Sequence, residues 1–488
     1  VDAGTVVFRH NLVRSAVYTT AEPGPRRAVH RALAAVLPEG DADRRAWHLG
    51  EAALGPDEET ACALHAAAVR ARDRSAHAVA ASAFARAARL SEDDGRRGER
   101  LVAAAESAWL AGAGERATAL LAGASALPQP PELRARAAGL RGRIAARTGS
   151  VEEARDVLMT AAIESAEAAP ERAILLLADA ILACFFLADA ATIADAAARI
   201  DGLADRAGTE PVRWVAEMAG GVAGVLTGRG GPPRIRAAVR RVAPAGPLLR
   251  DPRLAPWLVL GPLFLRERAT GRALVRPVVD ELRRRSDLGG LPFLLFQVAR
   301  DQATRDEWEL AVVNYSEGIQ LAREVGSTSD LAACLAGLAW LEARQGSGTA
   351  CREHAEEALR ICRASSIALF QAWSLFALGD LELGNGRPEA AVDHFERLEA
   401  LLAQHGLVDV DLSPAPELVE ALVHGGRTDT ARQLAARYAE RADAKGQPWA
   451  LARAARAGAL TCPEPAIDEQ FQAALDHHAR TLDAFEVA

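Results

Sequence analysis

The chain has 488 residues, which at roughly 100–200 residues per domain allows two to four domains or one long repeat array. Hydrophobic residues make up 50% and charged residues 25%, so wholesale disorder is excluded, and a net charge of −8 argues against a free-standing nucleic-acid binder. Aromatic residues reach only 5%, so the core is built from Ala, Leu and Val, which favours closely packed helices over a strand-rich sandwich.

Lysine is nearly absent from the chain. Lys445 is the single lysine among 57 basic residues, so the other 56 are arginine, and this indicates a GC-rich coding bias rather than a nucleic-acid patch. A P-loop needs a glycine-rich turn that ends in Gly-Lys-Ser/Thr, and the sequence has none. The motifs H-E-x-x-H, G-x-S-x-G and G-x-G-x-x-G are also absent. We therefore expect this chain not to be an enzyme and to hold no cofactor of its own.

Residues 1–50 differ from the rest of the chain. Thr5 to Phe8 is β-prone, and an amphipathic run follows from Asn11 to Thr20. A Pro/Gly turn at 23–25 precedes a helix from about Arg26 to Leu37. This order of strand, helix, turn and helix predicts part of a small α/β or winged-helix unit.

Helical periodicity dominates from residue 51 onward. Turns at Gly112 and Gly149, and weaker ones near Asp189, Gly228 and Gly271, predict helical repeats. Residues 211–292 hold 10 of the 24 prolines, so short and irregular helices are expected there. The predicted divisions are 1–50 for the winged-helix end, 51–210 for the first helical repeats, 211–292 for the proline-rich segment and 293–488 for the last repeats.

The clearest repeats lie in 293–488. Gly346, Gly386 and Gly426 are separated by 40 residues each, and Asp306 stands 40 residues before the first of them. A period near 40 built from paired helices is typical of an α-solenoid. The hairpin around Gly386 resembles a tetratricopeptide repeat with lengthened helices, with Leu378-Gly379 in its first helix and the pair Ala391 and Phe395 in its second.

A concave groove is predicted from this resemblance. In tetratricopeptide-like hairpins the first helix lines the concave face, so counting back from each turn identifies the residues that face it. These are Phe293, Phe296, Arg300, Trp340, Arg344, Trp373, Phe376, Asp380, Glu420 and His424, with Ala333 and Ala336 leaving space. Several aromatics with a few charges suit a ligand site, although the same aromatics would serve equally as packing between helices. Both interpretations remain open at this point.

Cysteine and histidine give no metal pattern. The six cysteines, at 62, 184, 334, 351, 362 and 462, form no C-x-x-C pair, and free thiols in a cytoplasmic protein are expected. Cys351 and His354 lie one helical turn apart with Cys362 nearby, but zinc requires four ligands with recognised spacing. We interpret this trio as thiols and a surface histidine on a helix, and we expect the His477-His478 pair on a solvated helix face.

One further set of residues is spread over positions 8–90: Phe8 to Tyr18, Arg27, His30, Arg44 to Leu49 and Gly55 to Asp57. With these residues the stretch resembles the large ATP-binding LuxR-type transcription regulators, a group of signal-transducing ATPases that includes the maltose-regulon activator. The resemblance implies the end of a winged helix followed by a helical-repeat sensor. It also implies an ATPase with ATP or ADP and Mg²⁺ before Val1, a helix-turn-helix after Ala488, and a nucleotide contact at His10.

Three functions follow from these patterns. The first is a regulatory sensor that binds a small effector or a regulatory protein and couples it to an ATP-dependent switch outside this chain. The second is a constitutive scaffold for protein interaction or self-association, and the third, less favoured, is an enzyme on a helical toroid. We expect no membrane segment and no direct contact of this chain with nucleic acid.

Overall fold

The computed structural model describes residues 10–243, 246–250, 254–265, 275–284, 288–481, 483 and 485–487. The chain divides into two compact units, Val1–Leu133 and Arg134–Ala488. Across the described residues the chain is mostly helical and has no β-strand. The predicted fold class, an α-solenoid of helical hairpins, is confirmed. The division between the two units falls at none of the predicted boundaries.

The first unit is built from short helices packed through alanine. Its helices are α1 Asn11–Thr20, α2 Pro23–Val36, α3 Ala42–Ala52, α4 Glu58–Asp73, α5 His77–Leu90, α6 Asp94–Leu110 and α7 Gly114–Ser125. Asp57 caps α4 by accepting a hydrogen bond from the Thr60 amide at 2.9 Å. Phe84 is fully buried against Ala68, Ala80 and Ala104, so small side chains let these helices approach closely.

The start of the chain agrees only in part with the sequence prediction. The helix predicted from Asn11 to Thr20 is confirmed. The turn predicted at 23–25 is wrong, because α2 already begins at Pro23, whose fixed φ suits the first turn of a helix. The strand expected at Thr5 to Phe8 lies outside the described residues, so the winged-helix remnant stays a prediction.

The second unit contains the longer helices. These are α8 Pro131–Thr148 (from Arg134 onward), α9 Val151–Ser165, α10 Pro170–Leu187, α11 Ala190–Leu203, α12 Glu210–Leu226, α13 Pro232–Arg240, α14 Pro247–Arg250, α15 Ala255–Leu263, α16 Val275–Arg284, α17 Leu291–Ala303, α18 Trp308–Val325, α19 Thr328–Arg344, α20 Gly348–Ala364, α21 Ala368–Gly384, α22 Pro388–His405, α23 Ala415–His424, α24 Thr428–Lys445, α25 Pro448–Ala459 and α26 Ile467–His478. None of the described helices is both long enough and apolar enough to span a membrane.

Proline shortens the helices in the middle of the chain. Helices α13 to α16 have between four and ten residues. Helix α12, by contrast, has 17 residues although it lies in the proline-rich stretch, because Pro211 stands in its first turn, where proline is tolerated. The expectation of short helices from residue 211 is therefore wrong up to Leu226. Gly271 lies outside the described residues.

A residue in the left-handed region marks every turn from 306 to 446. Within the hairpins these residues are Asp306, Gly346, Gly386 and Gly426, and between the hairpins they are Gly326, Ser366, Gly406 and Gly446, with φ from 55° to 73°. One such residue therefore occurs every 20 positions. Only the first series was evident in the sequence. Near 189 the left-handed residue is Ala188, because Asp189 instead caps α11 through the Thr192 amide at 3.0 Å.

Small residues allow the paired helices to approach. The residue five positions after six of the predicted turns, at Gly112, Gly149, Asp306, Gly346, Gly386 and Gly426, is fully buried: Ala117, Ala154, Ala311, Cys351, Ala391 and Ala431. In the hairpin around Gly386, a Cβ added to Gly379 would overlap the Phe395 ring. Between α18 and α19, a Cβ added to Gly337 would lie 2.5 Å from Tyr315 Cε1.

The second unit's early helices lie across the first helices of its last repeats. Helix α10 contacts α21, where the rings of Phe186 and Phe370 are 5.4 Å apart. Arg147 of α8 pairs with the fully buried Asp330 of α19 at 2.9 Å and lies 4.0 Å from the ring centre of Phe293. These contacts cover part of the face that the repeats would otherwise present as a groove.

Candidate ligand-binding groove

One cavity of about 60 Å³ lies among the first helices of the last repeats. Helices α17, α19, α21 and α25 form most of its wall. Its lining residues are Arg300, Thr304, Trp340, Arg344, Ala372, Trp373, Phe376, Asp411, Leu412, Trp449, Arg453 and Glu486. One water molecule needs roughly 10–15 Å³ of such space, so the cavity has room for about four waters or the end of one side chain.

Arginine side chains stack on aromatic rings around the cavity. The Arg344 guanidinium lies 4.2 Å from the ring centre of Trp340, and that of Arg453 lies 4.3 Å from Trp449. The Arg300 guanidinium lies 5.2 Å from Trp373. A guanidinium stacked on a ring is weakly hydrated and still presents its N–H groups in its own plane. The wall therefore combines flat apolar surface with fixed positive charge.

Arg344 of α19 is a nearly buried charge in the wall of the cavity. Its side chain is 4% exposed and has three carboxylates within 4 Å. Glu486 accepts a hydrogen bond from Nη2 at 3.0 Å, whereas Asp380 and Asp483 stand 3.7 Å from Nε and Nη1. Among the described residues, Nε and Nη1 have no hydrogen-bond partner. Arg344 therefore retains two donors for an additional acceptor.

Two carboxylates beside Arg344 differ in protonation. Burial raises the pKa of Asp380 to about 7, against the lowering effect of Arg344. Burial also opposes ionisation of Glu486, but Arg456, Arg453 and Arg344 together lower its pKa to about 2. Glu486 is therefore charged at neutral pH, while Asp380 is close to half protonated.

A second buried ion-pair network supports the far wall. Arg453 is 1% exposed and donates to Glu417, which also accepts from Arg456 at 2.9 Å. Arg456 reaches Glu420 as well, at 3.2 Å. Buried charges are stable only when they are paired, so these contacts fix α25 against α23 and hold the Arg453 guanidinium over Trp449.

Asp483 and the residues from Phe485 to Val487, here called the 483–487 segment, lie against this groove. Trp449 Nε1 donates to Asp483 Oδ2 at 3.1 Å, and the Phe485 ring centre lies 4.2 Å from the Arg344 guanidinium and 6.1 Å from the Trp308 ring centre. Arg344 is thus placed beside two rings, Trp340 and Phe485. No periodic signal in the sequence pointed to this segment.

Five of the predicted groove residues line the cavity: Arg300, Trp340, Arg344, Trp373 and Phe376. They lie on α17, α19 and α21. Trp340 and Trp373 meet edge to face, with ring centres 6.2 Å apart. The counting from each turn thus brought together five residues of this lining.

Phe293 and Phe296 are corrections to the predicted groove. Both are buried in the core, as are Ala333 and Ala336, because α8 and α10 cover the N-terminal halves of the first helices. Phe293 packs against Phe186 of α10, with ring centres 6.1 Å apart, and Phe296 supports Trp373 from behind at 5.7 Å. These phenylalanines hold the wall rather than form its surface.

The remaining predicted residues lie outside the cavity lining. Asp380 sits behind Arg344, and Glu420 pairs with Arg456. The His424 side chain is 63% exposed and reaches only Glu420, at 4.0 Å. The counting placed His424 in the groove, but α23 has only ten residues and ends at His424, so this side chain remains in solvent.

The other singled-out residues have structural roles. His10 caps α1, where its Nδ1 accepts a hydrogen bond from the Leu12 amide at 3.1 Å. Cys351 and Cys362 are buried, and His354 pairs with Glu342 at 2.8 Å. Within the described part of the chain no group of three His, Cys, Asp or Glu side chains is placed to hold a metal ion. His478, expected on a solvated face, is buried.

Sequence counting missed Trp449, Arg453 and Glu486. Arg453 stands 80 residues after Trp373 and therefore has the same position within the repeat. The turn that would identify this repeat falls at Ala466, where no glycine marks it. A search that extended the 40-residue period without requiring a glycine would have found Arg453 but not Glu486.

No family model matches this chain, and no curated protein sequence matches it. Among solved structures, the Rap protein complexed with competence and sporulation factor is 10% identical, with a TM-score of 0.39, 79% of this chain covered and 99% of that chain. Yeast Tom70 is 11% identical, with a TM-score of 0.37 and coverage of 86% and 96%. The APC/C hetero-tetramer Cut9-Hcn1 is 15% identical, with a TM-score of 0.31 and coverage of 96% and 95%. The fold assignment rests on the helices and their repeat period described above.

Proposed function

We propose that this chain is a recognition module that binds an anionic ligand with an aromatic or apolar part in the groove of α17, α19, α21 and α25. The observation that carries the proposal is Arg344, a 4%-exposed guanidinium that keeps two unbonded N–H positions beside a Trp-lined cavity. A buried cation of this kind is stabilised by an acceptor in its plane, and a carboxylate supplies one.

The size of the cavity restricts the ligand. About 60 Å³ accommodates the end of a side chain or a small carboxylate rather than a whole nucleotide cofactor. The tryptophan faces add affinity for an aromatic or apolar neighbour of the carboxylate. The favoured ligand is therefore a small carboxylic acid or an acidic residue presented by a partner protein.

We further propose that the module acts as the sensor of a LuxR-type, ATP-dependent transcription regulator. The residues of the first ninety positions support this, since they resemble that group of regulators. The phosphate-binding loop, with ATP or ADP and Mg²⁺, and the DNA-binding helix-turn-helix would belong to other parts of such a regulator. A ligand changes such a switch only when it binds one of two packings more tightly.

A thermal-shift titration tests the ligand site. Acetate, whose four heavy atoms fit the cavity, is expected to raise the melting temperature of the chain, since a ligand of the folded state stabilises it by about 2.7 kcal/mol at 100 times Kd, whereas the neutral acetamide should not. Arg344→Gln should abolish the response. The matched control is Arg323→Gln, which removes an exposed arginine of α18 and should keep it. Equal shifts in both variants would place binding elsewhere.

Hydrogen exchange separates the sensor from a constitutive scaffold. A sensor needs a second packing, so the carboxylate should change exchange in α8 and α10, which cover the N-terminal halves of α17 and α19. A change restricted to the four helices that line the cavity would favour the scaffold.

A further inference from the structure

The 483–487 segment contacts the groove as a ligand would. Its three anchors are the Asp483 carboxylate on Trp449 Nε1, the Phe485 ring beside Trp308 and the Glu486 carboxylate on Arg344. These partners come from α25, α18 and α19, and the Arg344–Glu486 bond joins residues 142 positions apart. The segment therefore contacts Arg344 and Trp449, which also line the cavity where a ligand would bind.

We propose that the groove is a binding site for a short acidic peptide that carries an aromatic side chain between two carboxylates, and that the 483–487 segment is its resident intramolecular occupant. A peptide of the same chemistry displaces the segment. This inference rests on the proposed function and deepens it, because it names the ligand as a peptide segment of a partner protein.

Incomplete bonding favours an exchangeable occupant over a fixed part of the core. Among the described residues, Arg344 makes one hydrogen bond to the segment, while Glu486 Oε2 has no hydrogen-bond partner and stands 3.7 Å from Arg456. Phe485 and Val487 are 41% and 47% exposed. Glu486 also lines the cavity. Another occupant has contacts to gain, and the segment has little buried apolar surface to lose.

Charge complementarity explains why the groove requires an acidic occupant. With the segment removed, Asp380 is the one carboxylate within 4 Å of Arg344 among the described residues. Asp380 is partly neutral near pH 7, so it compensates Arg344 only in part. Burying a guanidinium without a full counter-charge is unfavourable, and a peptide carboxylate supplies the missing negative charge.

The test uses the full chain and a fluorescein-labelled peptide with the sequence of residues 479–488. In the double variant Phe485→Ala with Glu486→Gln, the chain's own segment is weakened, and the peptide should bind at least tenfold more tightly than to wild type by fluorescence anisotropy. Adding Arg344→Gln to this variant should remove binding, and adding Arg323→Gln should not. Equal affinity for wild type and the double variant would overturn the proposal.

Peptide variants and a second measurement complete the test. A peptide with both carboxylates changed to amides, and one with the Phe changed to Ala, should each bind at least tenfold more weakly.

If the double variant melts early, hydrogen exchange of residues 481–487 in wild type replaces the anisotropy measurement. Saturating peptide should accelerate that exchange, and unchanged exchange overturns the proposal. Failure of the peptide while acetate still binds refutes this inference alone.

Discussion

Protonation of Asp380, which lies behind the cavity, makes the stability of the folded protein depend on pH. Arg344, Arg456, Glu417 and Glu486 are the charged groups that act on it, and burial dominates their sum. Its pKa of about 7 exceeds that of an exposed aspartate, so the folded protein holds a proton that the unfolded chain releases above about pH 4. Stability contributed by this group is therefore lost as the pH rises from about 4 to about 7.

The variant Asp380→Asn should flatten the pH dependence of stability. The amide cannot ionise, so the variant should lose less free energy of unfolding between pH 5 and pH 8 than wild type does. Urea unfolding at several pH values measures this difference. Asp393→Asn, which changes an exposed aspartate of α22, serves as the control and should follow wild type. A slope of Asp380→Asn equal to that of wild type would show that Asp380 is ionised throughout this range.

At the scale of single elements, α21 contains two glycines with opposite requirements. A Cβ at Gly379 would overlap the Phe395 ring of α22, whereas nothing lies within 4 Å of a Cβ at Gly384. Both glycines are in the same helix, and alanine is the better helix former at each. Packing against α22 therefore decides the difference between them.

Gly379→Ala should lower the free energy of unfolding by about 1–3 kcal/mol, because α21 and α22 must separate to admit the methyl group. Gly384→Ala should leave stability unchanged or raise it by up to about 1 kcal/mol through helix propensity. Urea unfolding of the two variants measures both changes. A loss in Gly384→Ala as large as that in Gly379→Ala would contradict the packing account.

An element could be predicted when its own residues carry the sequence pattern that marks it. Gly346, Gly386 and Gly426 revealed the period because a left-handed turn selects glycine. In the second series Ser366 adopts the same conformation without that signature, so the 40-residue spacing of Gly326, Gly406 and Gly446 is interrupted and this series stayed unnoticed. The face of α17, α19 and α21 followed from counting, since the angle between successive residues of a helix is fixed.

At the scale of the second unit, long-range packing decided what counting could not. Phe293 and Trp373 occupy equivalent repeat positions, yet the first is in the core and the second lines the cavity. The difference arises because Arg147 and Phe186 belong to helices more than a hundred residues earlier, and no periodic pattern in the last repeats announces them. The 483–487 segment escaped prediction for the same reason.

Because each hairpin takes 40 residues, the number of hairpins between two residues sets how far apart they lie along the solenoid. Arg344 and Glu486 meet because a fixed number of hairpins separates α19 from the 483–487 segment. One additional 40-residue hairpin inserted after Gly406 would preserve every turn but would separate α23 from α22. It would move α25 and the segment together by about two interhelical distances of 8–10 Å each and part the segment from Arg344. The groove would then lose Trp449 and Arg453 from its wall, so such a chain should fold but bind the 479–488 peptide more weakly than the double variant Phe485→Ala with Glu486→Gln does.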